Sequence, residues 1–155
     1  MNRSGHAFKP SISRRVACLA AVSIVALTGI ATAWASSSTE VQVVHNGKLG
    51  HILAQQKGYT LYVYCSGAAD KCNTGKSSGL WPPMIAYHKP VAGSGVNQSK
   101  LGTKTINGKK VVTYYGNPLY RYKGDTKAGQ TNGEGKNHTW YVVSQFGQPI
   151  TPPGY

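Results

Sequence analysis

The chain has 155 residues, with 17 Lys and Arg against 4 Asp and Glu and a formal net charge of +13 at pH 7. This length fits one domain, and the positive excess excludes an acidic, halophile-type surface while leaving anionic partners open. The chain also has ten Tyr but only two Phe, which is more Tyr than a hydrophobic core of this size needs.

Residues 1–35 have the three parts of a secretory signal peptide. A basic start is followed by an apolar run from Val16 and by the A-x-A exit Ala33-Trp34-Ala35. A retained membrane anchor is the alternative, but a run of about 18 residues is at the lower limit for crossing a bilayer. We predict cleavage after Ala35, or else after Ala33, and export to the periplasm or the extracellular space with no transmembrane segment left.

The export route and the state of the cysteines remain open. The pair Arg14-Arg15 ahead of the apolar run is compatible with twin-arginine export as well as the general route. The mature chain keeps Cys65 and Cys72, and two cysteines in an exported protein most simply form one disulfide. A metal or redox pair is the alternative, although the spacing is not C-x-x-C. No cofactor is predicted.

The mature chain is predicted to be all-β. Gly and Pro interrupt every apolar pattern that has helical spacing, whereas short runs of β-formers recur between turn residues. These runs lie at residues 41–45, 51–55, 60–64, 84–87, 110–115, 118–122 and 139–144. Asn46-Gly47 and Asn107-Gly108 are two-residue hairpin signals. We predict a small antiparallel β domain over residues 36–155 with long polar loops.

The domain is predicted to contain two similar half-repeats. The segment Leu61–Tyr64 has the same form as Leu119–Tyr122, and each is followed by a polar loop that ends in a Trp. Alternate residues of a strand share a face, so the two tyrosines of each segment lie on one side. The half-repeats cover about 45–87 and 103–147.

The second half resembles a known family. Tyr120, Tyr122 and Asp125 match its Tyr-x-(Phe/Trp/Tyr)-x-x-Asp motif in full. The residues that follow in the family-like pattern are Gly129, Asn132, Gly133, Gly135 and Trp140. The chain is similar over about residues 45–147 to the secreted-repeat family of predicted bacterial lipoproteins, although the first copy has Gly67 at the Asp position. The resemblance implies an exported, β-rich domain of uncharacterised activity.

An enzyme is the second class of function considered. Gly75–Gly79 fits the G-x-S-x-G string, and Asp125 and His138 follow in the chain order of a hydrolase triad. That string needs a helix after it, and the two prolines at 82 and 83 exclude one. A flexible loop is favoured, and no catalytic residue is predicted. The alternative is a small secreted enzyme or a metal-binding redox protein that uses the loops of Asp125, His138 and Cys72.

The loop after the motif could offer oxygens to Ca²⁺. Asp125, Asn132 and Glu134 lie within it, but their spacing does not match the EF-hand string. The favoured interpretation is that Asp125 accepts backbone N–H groups and pins the turn. The histidines are dispersed along the chain, and no metal site is predicted.

Paired tyrosines, tryptophans and a positive charge together could form a binding surface. The candidate binding residues are Tyr62, Tyr64, Trp81, Tyr120, Tyr122, Asp125 and Trp140. The favoured interpretation of these rings is burial in the strands, with each Tyr hydroxyl left in water. The Lys residues are scattered, which favours anionic envelope polymer or lipid headgroups over nucleic acid. The predicted function is a non-catalytic binding or scaffolding domain at the cell envelope.

Overall fold

The computed structural model describes residues 39–66, 72 and 78–151. The predicted signal peptide over 1–35 lies outside the described residues, as do Gly75, Lys76 and Ser77 of the G-x-S-x-G string. All described residues belong to one compact unit, Ala35–Tyr155. Across these ranges, no helix is long and apolar enough to cross a membrane.

The described residues form strands joined by turns and loops, which confirms the all-β prediction. The strands are β1 (Glu40–Asn46), β2 (Gly50–Gln55), β3 (Tyr62–Tyr64), β4 (Val91–Ala92), β5 (Leu101–Ile106), β6 (Lys109–Tyr114), β7 (Asn117–Pro118) and β8 (Trp140–Val142). They form three small sheets, with strand orders β2-β1-β4, β3-β8 and β5-β6-β7. The pairs are antiparallel except for the two-residue contact of β1 with β4.

Two strands have no counterpart in the sequence prediction. β4 has only two residues, and β5 presents Thr103, Lys104 and Thr105 to solvent. An exposed strand of this kind lacks the apolar residues that mark a half-buried strand in a sequence. β5 is defined by its pairing with β6 along its whole length.

The predicted hairpins are present, but one of them has a longer turn. Asn107 and Gly108 join β5 to β6 with φ angles of 48° and 74°, as expected of a two-residue turn in which both residues are left-handed. The first hairpin differs because the turn between β1 and β2 spans residues 47–49. There Asn46 Oδ1 accepts hydrogen bonds from the N–H groups of Lys48 and Leu49, so its side chain shapes the turn.

The first hairpin pairs with a segment from the end of the chain. Leu53 in β2 donates its N–H to Val143 O at 2.8 Å, and Val143 in turn donates to Leu61 O at 3.1 Å. Leu61 completes the set by donating to Leu53 O at 3.0 Å. The segment after the second polar loop therefore lies against the hairpin of the first half.

The second hairpin has the same three hydrogen bonds. Val112 in β6 donates to Met84 O at 2.8 Å, Met84 to Leu119 O at 2.9 Å, and Leu119 to Val112 O at 2.9 Å. Each of these residues lies 58 or 59 positions from its equivalent in the other set. The two half-repeats therefore exchange the segments that follow their polar loops, and neither half completes its sheet alone.

Equivalent residues meet at the centre of this arrangement. Tyr62 and Tyr120 donate their N–H groups to each other's carbonyl oxygens, both at 2.9 Å. The rings of Trp81 and Trp140 stack with their centroids 4.0 Å apart and their planes within 2°. Because each residue contacts its own equivalent, both pairs lie on an approximate two-fold axis between the halves.

The core consists of two clusters that both halves supply. One is built around aliphatic side chains such as Val41, Leu53 and Val112. The other holds the axial aromatic rings with Ile52 and Val142. Burial of these side chains is the main favourable contribution to folding, and the second cluster is where the candidate site lies.

The axial stack makes Trp140 a key residue for stability. Replacing Trp140, which is 4 % exposed, by Ala leaves a large cavity against Trp81 and Tyr120. We expect Trp140→Ala to lower the free energy of unfolding by about 3–5 kcal/mol, measured by urea denaturation. Phe146→Ala is the control, since that ring is 66 % exposed and its removal should cost about 0.5 kcal/mol or less. Equal losses of unfolding free energy in the two variants would contradict a stabilising role for the Trp81–Trp140 stack.

Candidate functional site

A buried hydrogen bond joins the two halves next to the axial rings. The hydroxyl of Tyr62 in β3 donates to Asp125 Oδ2 at 2.6 Å. Both groups are buried, and the same hydroxyl accepts a hydrogen bond from Gly133 N–H at 3.2 Å. The motif aspartate of the second repeat is therefore paired with a strand tyrosine of the first.

Asp125 also closes the loop that follows it. Its Oδ1 accepts the N–H of Asn132 at 2.9 Å, and the Asn132 side chain donates back to Gly124 O at 3.1 Å. The loop lies tightly on the aromatic rings. A Cβ built on Gly133 would come within 2.7 Å of Trp81 and 2.8 Å of Tyr62, so only glycine fits there without a shift of the rings.

Burial changes the acid–base properties of this pair. It raises the pKa of Asp125 above its usual value, while hydrogen bonds from Tyr62 and Asn132 act in the opposite direction. Burial also raises the pKa of Tyr62, and the neighbouring Asp125 carboxylate adds to that effect. The Tyr62 hydroxyl therefore keeps its proton and remains a donor to the carboxylate.

Glu134 is the second carboxylate turned inward from this loop. Its Oε2 accepts the N–H of Val142 in β8 at 2.6 Å. Its Oε1 is buried, and among the described residues it has no hydrogen-bond partner. Burial raises the pKa of Glu134 to about 7, although the Val142 hydrogen bond partly opposes this. At neutral pH this carboxyl is thus close to half protonated.

The structure brings all seven predicted binding residues together in one cluster. Tyr62 and Tyr120 each contact the Trp of their own half edge-on, at 5.3 and 5.2 Å. Tyr64 packs on Trp140 and Tyr122 on Trp81, at 5.1 and 4.4 Å. The seventh member, the Asp125 carboxylate, is held by Tyr62.

Most of these rings are core residues and not an open stacking surface. Tyr62, Trp81, Tyr120 and Trp140 are buried, because each fills space between the two halves. A ligand could reach these four only if the core opened. Tyr122 and Tyr64 are half-buried, so their outer edges remain accessible.

The first loop is closed in a different way. Cys65 and Cys72 form a disulfide, which agrees with the pairing expected for an exported protein. In this oxidised state Cys72 has no free thiol that could act as a nucleophile or a metal ligand. Asp125 of the same alternative uses both carboxylate oxygens for Tyr62 and Asn132, and His138 lies exposed at the surface.

The loop geometry favours the structural role of Asp125 over Ca²⁺ binding. Of the proposed oxygen ligands, Asp125 has both carboxylate oxygens in hydrogen bonds from Tyr62 and Asn132, and Glu134 Oε2 accepts from Val142. Within the described ranges, no group of three or more His, Cys, Asp and Glu side chains is arranged to hold a metal ion.

A cavity opens beside the motif residues, and we call it the motif cavity. It has a volume of about 390 Å³ and is lined by Tyr59, Thr60, Pro82, Arg121, Tyr122, Lys123 and Asp125. The sequence analysis identified Tyr122 and Asp125 but missed the two basic residues. Their signal is their position, because Arg121 and Lys123 alternate with the motif tyrosines along the chain.

The fold and the site together define a β domain made of two interlocked repeats. Residues 103–144 match a family described as a secreted repeat of unknown function, which confirms the resemblance for the second half. No curated protein and no solved structure matches the chain. The description of the matched family is consistent with the predicted export of this chain, and it assigns no activity.

The Tyr62–Asp125 hydrogen bond is expected to stabilise the whole domain. In Tyr62→Phe, Asp125 Oδ2 and Gly133 N–H both lose a buried partner, which should cost about 1–3 kcal/mol of unfolding free energy. Asp125→Asn should have a cost of similar size, and the double variant should cost less than the sum of the two. Tyr87→Phe is the control, because Tyr87 is 80 % exposed. Fully additive losses would contradict the coupling.

Glu134 should make stability depend on pH. The pKa is about 7 in the folded protein against 4.5 for an ordinary glutamate, so the native state binds the proton more tightly. This contribution is complete below about pH 4.5 and is lost as the pH rises through 7. The thermal midpoint of the wild type should therefore decrease as the pH is raised from 5 to 8. The thermal midpoint of Glu134→Gln should decrease less.

The matched control for that measurement is Lys127→Gln, which removes an exposed charge from the same loop. It should keep the pH dependence of the wild type. If Glu134→Gln also kept it, the titrating group would lie elsewhere.

Proposed function

We propose that this exported domain is a non-catalytic binding module for anionic polymer of the cell envelope. The observation that carries the proposal is the separation of charge between interior and surface. Cationic side chains lie outside, while two of the three acidic residues in the described part are drawn inward.

The cations are distributed over many elements of the fold. Every Lys and Arg that the structure describes is exposed. They lie in the β5–β6 hairpin and in the segments between strands. These residues are Lys48, Lys57, Lys89, Lys100, Lys104, Lys109, Lys110, Arg121, Lys123, Lys127 and Lys136. Exposed charge of one sign creates a long-range potential that attracts a partner of the other sign.

The three acids in the described part of the chain are too few to cancel this charge, and they are also poorly exposed. Asp125 is buried against Tyr62, and Glu134 is half-buried against Val142. In the described part of the chain this leaves Glu40 as the remaining acid, and it too is half-buried. The positive surface thus results from the structural use of the acids as much as from the number of lysines.

A flexible polyanion suits this charge pattern better than a flat lipid surface does. The cations are spread over separate turns and loops, so a long chain can follow them, whereas a bilayer contacts one face at a time. The site chemistry is also consistent with binding and not turnover, because the candidate catalytic groups Asp125 and Cys72 are occupied in structural bonds.

The proposal predicts salt-sensitive binding to polyanions. The mature protein should bind immobilised polygalacturonate and poly(glycerol phosphate) at low ionic strength and release them at 0.5 M NaCl. At that salt concentration the Debye length is about 4 Å, and exposed charges farther apart than this are largely screened. Lys109→Glu/Lys110→Glu should bind about twofold to tenfold more weakly, and Lys109→Arg/Lys110→Arg should bind like the wild type. Surface plasmon resonance measures both.

Neutral dextran and anionic lipid vesicles complete that experiment. Binding to dextran as strong as to the polyanions would contradict an electrostatic interaction. Binding to the vesicles without binding to either polymer would replace the polymer by lipid headgroups as the partner.

A further inference from the structure

We propose that the motif cavity is a specific site for one acidic unit of an envelope polymer, a uronate or a polyol phosphate, whose carboxylate or phosphate group contacts Arg121 and Lys123. This inference rests on the proposed function and names the place where recognition of the polymer occurs. It can be tested separately from the diffuse attraction, because it depends on two cations and a concave surface at one location.

The first argument is the point at which the two repeats differ. Counted from the paired tyrosines Tyr62 and Tyr120, Arg121 is equivalent to Val63 and Lys123 to Cys65. Val63 and Cys65 are both buried, whereas the two basic side chains are exposed. The repeat therefore forms with apolar residues at these positions, so its architecture does not require the charges.

The second argument is the electrostatic balance of the cavity. Asp125 is the acid in its wall, and both of its oxygens already accept hydrogen bonds, from Tyr62 O–H and Asn132 N–H. The carboxylate is thus directed into the protein and held there. Arg121 and Lys123 are exposed, so the cavity presents cations toward solvent.

The third argument is that the cavity wall is preorganised. The N–H of Arg121 donates to Pro82 O at 2.9 Å, and that of Lys123 donates to Leu80 O at 3.0 Å. Tyr122 packs on Trp81 at 4.4 Å and has Lys136 Nζ 5.4 Å from its ring centroid. A site whose backbone and rings are fixed before binding pays a smaller ordering cost.

The chemistry of the wall selects the ligand class. A guanidinium group presents paired donors that match carboxylate and phosphate oxygens. Tyr59 and Tyr122 add aromatic carbon and hydroxyl groups, which suit a ring that carries both C–H and O–H groups. The volume of about 390 Å³ is in the range of small-ligand sites and suits a short stretch of an acidic polysaccharide.

The test uses short probes that cannot follow the whole surface. Isothermal titration calorimetry of the mature protein with trigalacturonate and with a glycerol phosphate trimer separates the carboxylate and phosphate forms of the ligand. At least one of them should bind, and neutral galactotriose should not. Arg121→Gln/Lys123→Gln should weaken binding about tenfold or more, as expected for lost hydrogen bonds to a charged group.

A charge-matched control distinguishes the site from the diffuse surface. Lys48→Gln/Lys100→Gln removes the same charge from exposed residues outside the cavity and should change the affinity for the trimers less than about twofold. Arg121→Lys keeps the positive charge but lacks the paired donors of the guanidinium group. An intermediate loss of affinity in this variant supports paired hydrogen bonds. Thermal midpoints close to that of the wild type show that all variants are folded.

The outcomes separate the two proposals. If both double variants lose the same small amount of affinity, the motif cavity is not the site, although the polyanion-binding function stands. Tight binding of galactotriose would overturn the acidic specificity. If the wild type binds neither the trimers nor the long polyanions, the proposed function itself is wrong.

Discussion

The reciprocal contact between Tyr62 and Tyr120, with the Trp81–Trp140 stack beside it, is the interaction on which the rest of this structure depends. A small repeat with short strands cannot bury enough apolar surface by itself. Here each half completes its sheet with a segment of the other half, and the four aromatic side chains fill the space where the halves meet. Because Tyr62 and Tyr120 are equivalent residues, the backbone hydrogen bond that one donates to the other is repeated in the reverse direction across the axis.

The same arrangement explains why the two polar loops are closed by different chemistry. In the first half the Cys65–Cys72 disulfide closes the loop. In the second half Asp125 closes it by accepting the N–H of Asn132, and Tyr62 anchors the carboxylate to the core. Both closures join residues seven positions apart. Asp125 is therefore a structural residue in this protein, and in the first half a covalent bond closes the loop.

The sequence predicted the repeated elements better than it predicted exposure. Tyr-x-Tyr segments and turn residues such as Asn107-Gly108 act locally, so they could be identified along the chain. The sequence pattern singled out the seven candidate residues, and the structure places them in contact with one another. Burial of the strand tyrosines was expected, but the residues that cover Tyr62 and Trp140 could not be predicted, because these neighbours come from the opposite half. The exposed strand β5 was missed for a related reason, since its partner and not its own pattern defines it.

The sequence by itself determined the all-β class, the repeat and the large positive charge. It also predicts an export signal. These features follow from composition and from patterns within short segments. Only the tertiary structure decided that the halves exchange segments, that Asp125 and Glu134 turn inward, and that Arg121 and Lys123 line a cavity. The physical reason is that burial and hydrogen bonding depend on contacts between residues far apart in the chain. Those contacts convert a net charge, which any sequence count gives, into a cationic surface.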